Sequence, residues 1–383
     1  MQTTQIYEFL STVYDEVTGQ TGVVAENLSN IVDVGETLLS TNYRETYVNS
    51  LLNRIGRMVF VDRTYTGAAP SIIREAWEWG SIMSKSRTKD FTPTNNPTWQ
   101  LTAGESVDQY EYNPPEVQTT LYNTMVTWEI DCSFVNRQLK QSFTNPAEMD
   151  RFLSMIRSQI NNNQVQNIDN LIMRAINNFV GMRVAKNIAV VDLLASYNTA
   201  FGTSITAAEA IYSKEFLRHA AYQILVYKKR LAKKTANFSD NAEGYTTFTP
   251  PDFLHLTLLD VVGEALNVYL QSDTFHNEFT EIGAYDTVSE WQGTGAGSAY
   301  PFDSISSLNI TVSGITPAAT VNRSGIVGIM FDRDAIGIIN EDRRVEVAYN
   351  ARGEYWNNFF KVDTRLFNDP AENGIVFTIG TPT

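Results

Sequence analysis

The chain has 383 residues, enough for two or three ordinary domains or one large fold with extensions. A hydrophobic share of 43%, with 20 Phe, 18 Tyr and 6 Trp, supplies a packed core and excludes intrinsic disorder. The net charge of −14 argues against a surface that binds nucleic acid all over, and a single cysteine, Cys132, excludes an intramolecular disulfide framework.

The predicted elements begin with an arm. Ile6, Phe9, Leu10 and Val13 mark a short helix, and Thr18-Gly19-Gln20-Thr21-Gly22 breaks it. A second amphipathic stretch over 44–55 carries Tyr47, Leu51, Leu52 and Ile55 at helical spacing. Residues 85–115 are polar and turn-rich, with Pro93, Asn95-Asn96-Pro97 and Asn113-Pro114-Pro115. Lys85, Arg87 and Lys89 stand at what reads as a flexible tip. Beyond it Tyr122, Val126, Trp128, Ile130, Cys132 and Phe134 alternate with polar residues, which predicts a strand of about 14 residues, or two shorter strands joined by a bulge. Such a length suits an arm reaching away from the body.

Asn145-Pro146-Ala147-Glu148 has the form of a helix start, with an N-cap, a first-turn proline and an early carboxylate. Apolar residues then recur from Phe152 through Met155, Ile168, Leu171 and Ile172 to Phe179, with no Gly or Pro before Gly181. A spine helix about 50 Å long is expected from 147 to 180. From 200 to 345 the pattern is mixed. It predicts helices over 206–234 and 261–271 and strands over 253–259, 304–313 and 325–332. The end returns to strands at 344–349, 356–367 and 374–379, the first two joined by a turn at Asn350-Ala351-Arg352-Gly353 in which Gly353 is expected to have positive φ.

Chemistry is sparse. His219 reads as a helix residue and His255 as a core histidine in a strand. His276 with Glu278 and Glu281 fits no zinc spacing. Gly293-Thr294-Gly295-Ala296-Gly297-Ser298 lacks the lysine of a phosphate-binding loop. Cys132 reads as a small hydrophobe. No catalytic residue, metal site or cofactor is expected. The cluster Lys228, Lys229, Arg230, Lys233 and Lys234 reads either as charge matched to a helix C-terminus or as a contact surface. No apolar run is long enough for a membrane helix.

The order of these elements, with Phe331-Asp332-Arg333-Asp334-Ala335-Ile336-Gly337 and Asn350-Ala351-Arg352-Gly353-Glu354-Tyr355-Trp356-Asn357, resembles the major capsid protein of tailed double-stranded-DNA phages. The resemblance is to the Hong Kong 97-type fold, and within it to small short-tailed phages of the phi-twenty-nine group. It implies an α+β fold with an N-terminal arm (1–55), an E-loop (56–135), a peripheral domain (136–200, returning at 344–383) and an axial domain (201–343). It implies a structural subunit, not an enzyme, that forms hexamers and pentamers of an icosahedral shell around double-stranded DNA. A separate scaffolding protein, rather than a fused leader, and a portal protein are the implied partners. The implied location is the virion, after assembly in the host cytoplasm. Lys85, Arg87, Lys89, Trp99 and Arg352 are the expected inter-subunit contacts, the cations meeting acidic neighbours. An encapsulin-type compartment with the same fold is the nearest alternative, and a metal-dependent hydrolase using His276 a remote one.

Overall fold

A computed structural model of the chain describes residues 3–40, 72–74, 83–95, 112–122, 125–135, 146–241, 244–271, 283–292, 301–315 and 317–380, with isolated positions within 42–50 and 100–110. Its helices are α1 (Thr3–Thr18), α2 (Ile31–Leu38), α3 (Pro146–Lys186), α4 (Leu193–Phe201), α5 (Ala207–Ala210), α6 (Lys214–Leu231), α7 (Asp260–Gln271) and α8 (Phe302–Ile305). The strands are β1 (Ile73–Arg74), β2 (Met83–Thr88), β3 (Val117–Tyr122), β4 (Met125–Val135), β5 (Val190–Asp192), β6 (Leu254–Leu259), β7 (Asp286–Val288), β8 (Leu308–Val312), β9 (Ala319–Arg323), β10 (Ile326–Asp332), β11 (Ile336–Asn350), β12 (Tyr355–Asn368) and β13 (Gly374–Thr378). They divide into two units, one of 1–80, 125–171 and 339–365, the other of 81–124, 172–338 and 366–383.

The first unit is built on a sheet of order β1-β11-β12-β4. β12 and β4 run antiparallel in unbroken register from Tyr355 opposite Val135 to Arg365 opposite Met125. The alternation expected for β4 is present, with Ile130, Cys132 and Phe134 buried between exposed neighbours. α1 turns Leu10, Val13, Tyr14 and Val17 to one face, and α2 does the same with Ile31, Val34 and Leu38. These side chains join Ile130, Cys132, Phe134, Ile160, Trp356 and Phe360 in a single core. The first 40 residues are therefore part of a packed unit and not a free arm, because two apolar helix faces are covered by their own sheet. Most of the second amphipathic stretch, at 51–55, lies outside the described residues.

The second unit centres on a sheet of order β5-β13-β10-β6-β7. β10 pairs antiparallel with β13 and with β6, and all seven of its residues are buried. A strand between two partners and covered on both faces needs the continuous apolar run Ile326-Val327-Gly328-Ile329-Met330 rather than alternation. β13, at the end of the chain, pairs with β10 and β5, so 374–378 belongs to this sheet and not with the returning segment at 344–365. Gly325, just before β10, has φ +75°, and a Cβ there would lie 2.2 Å from the Ile379 carbonyl oxygen. Gly325→Ala should cost about 1–3 kcal/mol from backbone strain alone, read as a lowered urea midpoint of the subunit. An unchanged midpoint would show that this junction is not tightly packed.

α3 is longer than the sequence suggests, 41 residues and so about 60 Å. Its expected cap Asn145 and the side chain of Met155 lie outside the described residues. Ile168 and Ile172 are buried and Leu171 is half-buried. The single helix expected over 206–234 is instead α5 and α6, because Ser213 caps a new start by accepting from the Phe216 N–H. Thr206 and Glu209 form a capping box on the short α5. The strand expected from 304 begins later, at Leu308, after α8.

Of the two readings open near 122, one long strand or two shorter ones, the structure has two strands, and they lie in two different sheets. β4 belongs to the four-stranded sheet, while β3 pairs with β2 in a hairpin of its own, from Met83 opposite Tyr122 to Thr88 opposite Val117. Residues 83–88 are thus a strand and not the tip. The loop proper runs from Lys89 to Glu116, whose backbone groups meet at 2.9 Å where the hairpin opens.

Candidate functional site

The hairpin carries the first two cations singled out above. Strand alternation puts Lys85 and Arg87 on one face of β2. There they meet the turn between β12 and β13. Arg87 Nη2 donates to Asp369 Oδ2 at 2.5 Å and to Glu372 Oε1 at 2.7 Å. Lys85 Nζ lies 3.1 Å from the same Asp369 oxygen and 3.5 Å from Glu372, and also donates to the Asp334 carbonyl. The Asp369 side chain is 1% exposed, Lys85 and Arg87 only 15% and 14%. The carboxylates expected on a neighbouring subunit are found for these two cations in their own chain. Asn368-Asp369-Pro370 reads in the sequence as a turn, and nothing local marks Asp369 as the partner of a cation about 280 positions earlier.

Burial would by itself raise the Asp369 carboxyl, but Lys85 and Arg87 outweigh it and hold the group below its ordinary value. Burial would lower Arg87, and its two carboxylate partners raise it instead. A carboxylate with a depressed folded-state pKa contributes stability above its unfolded pKa of about 3.9, and that contribution is lost as pH falls through the folded value. Pepsin nicking of the 91–116 loop should therefore rise as pH drops from about 4 toward 2. In Asp369→Asn that added pH dependence should vanish. An identical profile in both proteins would show that the cluster does not hold the hairpin.

Lys89 pairs at the surface with Glu116, 2.9 Å away. Asp90 is tied down separately: its N–H donates to the Gly244 carbonyl at 3.0 Å, and its carboxylate accepts from Lys234 and Thr246. One lysine of the basic cluster is thus committed within the chain. Lys228, Lys229 and Arg230 occupy the last turn of α6, where the helix dipole favours cations. Trp99 lies outside the described residues, as do Trp77 and Trp79. Trp128 is half-buried and donates its indole N–H to Thr364 at 2.9 Å. Among the described residues of the loop, Phe91, Tyr110 and Tyr112 are 69%, 84% and 83% exposed, and the sequence did not single them out.

Arg352 stands exposed in the turn between β11 and β12. Asn350 Oδ1 accepts from the N–H groups of Arg352 and Gly353, both at 3.1 Å, and its Nδ2 donates to the Tyr355 hydroxyl. The left-handed residue is Glu354, φ 50°, and not Gly353. Gly353 is required for a different reason, since a Cβ would lie 2.4 Å from the Tyr355 ring. The turn borrows its conformation from the Asn350 side chain, which frees the glycine from supplying it.

The other candidates have structural surroundings. His219 packs among Tyr197, Phe201 and Tyr222 and lies 3.1 Å from Ser196 Oγ. His255 stacks on Phe331 in the central sheet, and burial holds its pKa below the ordinary value. Burial pushes the Cys132 thiol up to about 11, so it is a poor nucleophile at neutral pH. His276, Glu278, Glu281 and the glycine-rich stretch 293–298 lie outside the described residues. Among the described residues no three potential metal ligands stand together.

The first unit thus carries a four-stranded sheet, and the second a five-stranded sheet together with the clamped β2-β3 hairpin. Solved capsid structures are similar to the chain. The capsid of Staphylococcus phage Andhra matches with a TM-score of 0.51 at 12% identity, covering 81% of this chain and 83% of that one. A chain in the structure of the head fibre and inner core protein of native bacteriophage P68 matches with a TM-score of 0.52 at 13% identity, over the same shares. These likenesses show the Hong Kong 97-type fold. No curated protein matches the sequence. The family model for Phi29-like phage major capsid proteins matches residues 10–378, and the chain accordingly belongs to that family of shell-forming structural subunits, which are not enzymes.

Proposed function

We propose that copies of this chain tile as hexamers and pentamers into an icosahedral shell that encloses double-stranded DNA without reading its sequence. A separate scaffolding protein and a portal protein complete the assembly, which takes place in the host cytoplasm. The observation that carries the reading is the 89–116 loop. It exposes Phe91, Tyr110 and Tyr112, three large rings within one loop, which supports its reading as an interaction surface. The occupant is a neighbouring copy, and Arg352 in its exposed turn and Trp99 are further contact residues. The charge that the loop brings is opposite in sign to the one first expected. Lys85 and Arg87 are used internally and Lys89 pairs with Glu116, while residues 91–115 hold Glu105, Asp108 and Glu111 with no lysine or arginine. The receiving surface is therefore basic, and contact should weaken with salt, since the Debye length is about 8 Å at physiological strength.

A net charge of −14 suits a container rather than a DNA binder, because it leaves the packaged polymer mobile. Electron microscopy of the expressed chain, with and without a co-expressed scaffolding protein, tests the shell. Nuclease treatment of particles from infected cells tests the contents. Protected double-stranded DNA is the expected result, and a co-purifying enzyme in its place would favour an encapsulin-type compartment.

A further inference from the structure

We propose that Lys85 and Arg87, locked onto Asp369 and Glu372, are positioning residues that pre-organise the 89–116 loop for contact with a second copy of this chain. The proposal rests on the reading of that loop given above.

A two-stranded hairpin is marginal by itself, and among the described residues β2 and β3 pair only with each other. Side-chain contacts therefore supply most of what holds them. The anchor is itself rigid. The Asp369 N–H donates to the Ala335 carbonyl at 2.7 Å, and Asp369 Oδ1 accepts from the Ala371 N–H at 3.0 Å. Buried Arg183 donates to the Pro370 carbonyl at 3.1 Å and to that of Glu372, and Asn241 donates to the Ala371 carbonyl at 3.0 Å. On the hairpin side, Tyr122 rests on Phe367 with ring centroids 5.6 Å apart, and Lys85 Nζ stands 5.5 Å from the same ring. The Asp90 contacts with Gly244, Lys234 and Thr246 form a second tether, two residues beyond the last pair of the strand register.

Buried charges grip harder than a surface pair, because solvent screens them less and leaving one unpaired is costly. The cluster therefore fixes both strands at the mouth of the loop. A loop that starts from one fixed place pays less ordering entropy when it docks. Without the clamp the same aromatic rings would still be present, but spread over many directions.

The test uses the full chain. Lys85→Met/Arg87→Met should speed amide exchange in β2 and β3 at least tenfold while the β13-β10-β6 sheet keeps its protection. The critical concentration for shell assembly should rise at least tenfold with it. Glu372, at the rim of the cluster and 18% exposed, supplies a milder variant in case the double one fails to fold. Glu372→Gln should move exchange and assembly in the same direction, and by less. Faster hairpin exchange with unchanged assembly, in either variant, would reduce the cluster to a local fastening and overturn the proposal. Unchanged exchange would overturn it too. Deleting the loop separates this from its premise. If the deletion abolishes shells while clamp variants assemble normally, the positioning role alone fails. If the deleted protein closes shells, the reading of the loop fails first.

Discussion

Replacing Phe179 with alanine should destabilise the subunit by about 3–5 kcal/mol, the range for a fully buried phenylalanine. Phe179 is 0% exposed on α3 and packs against Phe331 at 6.5 Å between ring centroids. On its other side the Arg183 guanidinium lies 4.9 Å from the ring centre, and a Cβ on Gly374 would come within 2.5 Å of the ring. Little room exists for neighbours to collapse into the space. The hole would also open beside a buried cation whose Nε and Nη1 find no hydrogen-bond partner among the described residues. Burial already depresses Arg183 to about 10, so the cation is held at a cost that the aromatic face helps to offset. Urea denaturation of the unassembled subunit reads the loss directly. Phe179→Leu, which keeps most of the volume, should lose well under half as much. A loss below about 1 kcal/mol for alanine would mean that this part of α3 is not core.

The second large effect concerns assembly and leaves folding alone. With residues 91–114 replaced by a short Gly-Ser linker, the subunit should keep its circular dichroism and thermal midpoint and yet form no closed shells. β2, β3 and the Lys85–Arg87–Asp369–Glu372 cluster remain in that variant. Shortening a closed loop changes stability by only a fraction of a kcal/mol, because closure entropy grows slowly with length. Among the described residues of the removed segment, Phe91, Tyr110 and Tyr112 are exposed and contribute nothing to the core. What it takes away is aromatic area for a neighbour. Sedimentation and negative-stain microscopy distinguish the outcomes, and normal shells from the shortened chain would refute the contact.

The residues themselves show why parts of this protein were legible and others were not. α3 could be read because its apolar residues repeat at helical spacing with no Gly or Pro before Gly181. β4 could be read from its alternation, and β10 from its unbroken apolar run. Family membership could be read at 350–357, where turn residues and aromatics sit in a fixed order. Each of these signals is carried by neighbours in the chain, so a window of 10 or 20 residues contains it.

A break near 122 was one of two readings the sequence left open, but that β3 and β4 join different sheets was not legible, since only their partners differ: β2 for one, β12 for the other. Nor was the packing of α1 and α2, whose apolar faces announce that something covers them but not what. The ionic clamp was the least legible of all. Lys85 and Arg87 lie on a polar stretch that any local criterion assigns to a solvated tip, and their partner Asp369 sits about 280 residues away in an ordinary turn. By itself, then, the sequence determined the periodic elements, the shell-forming family and the absence of a disulfide framework, because composition and short-range spacing contain them. Only the tertiary structure decided which cations remain for a neighbour and which are already used. That choice depends on which strand edges and turns the fold brings within about 3 Å of one another, and electrostatic attraction acts through space rather than along the chain.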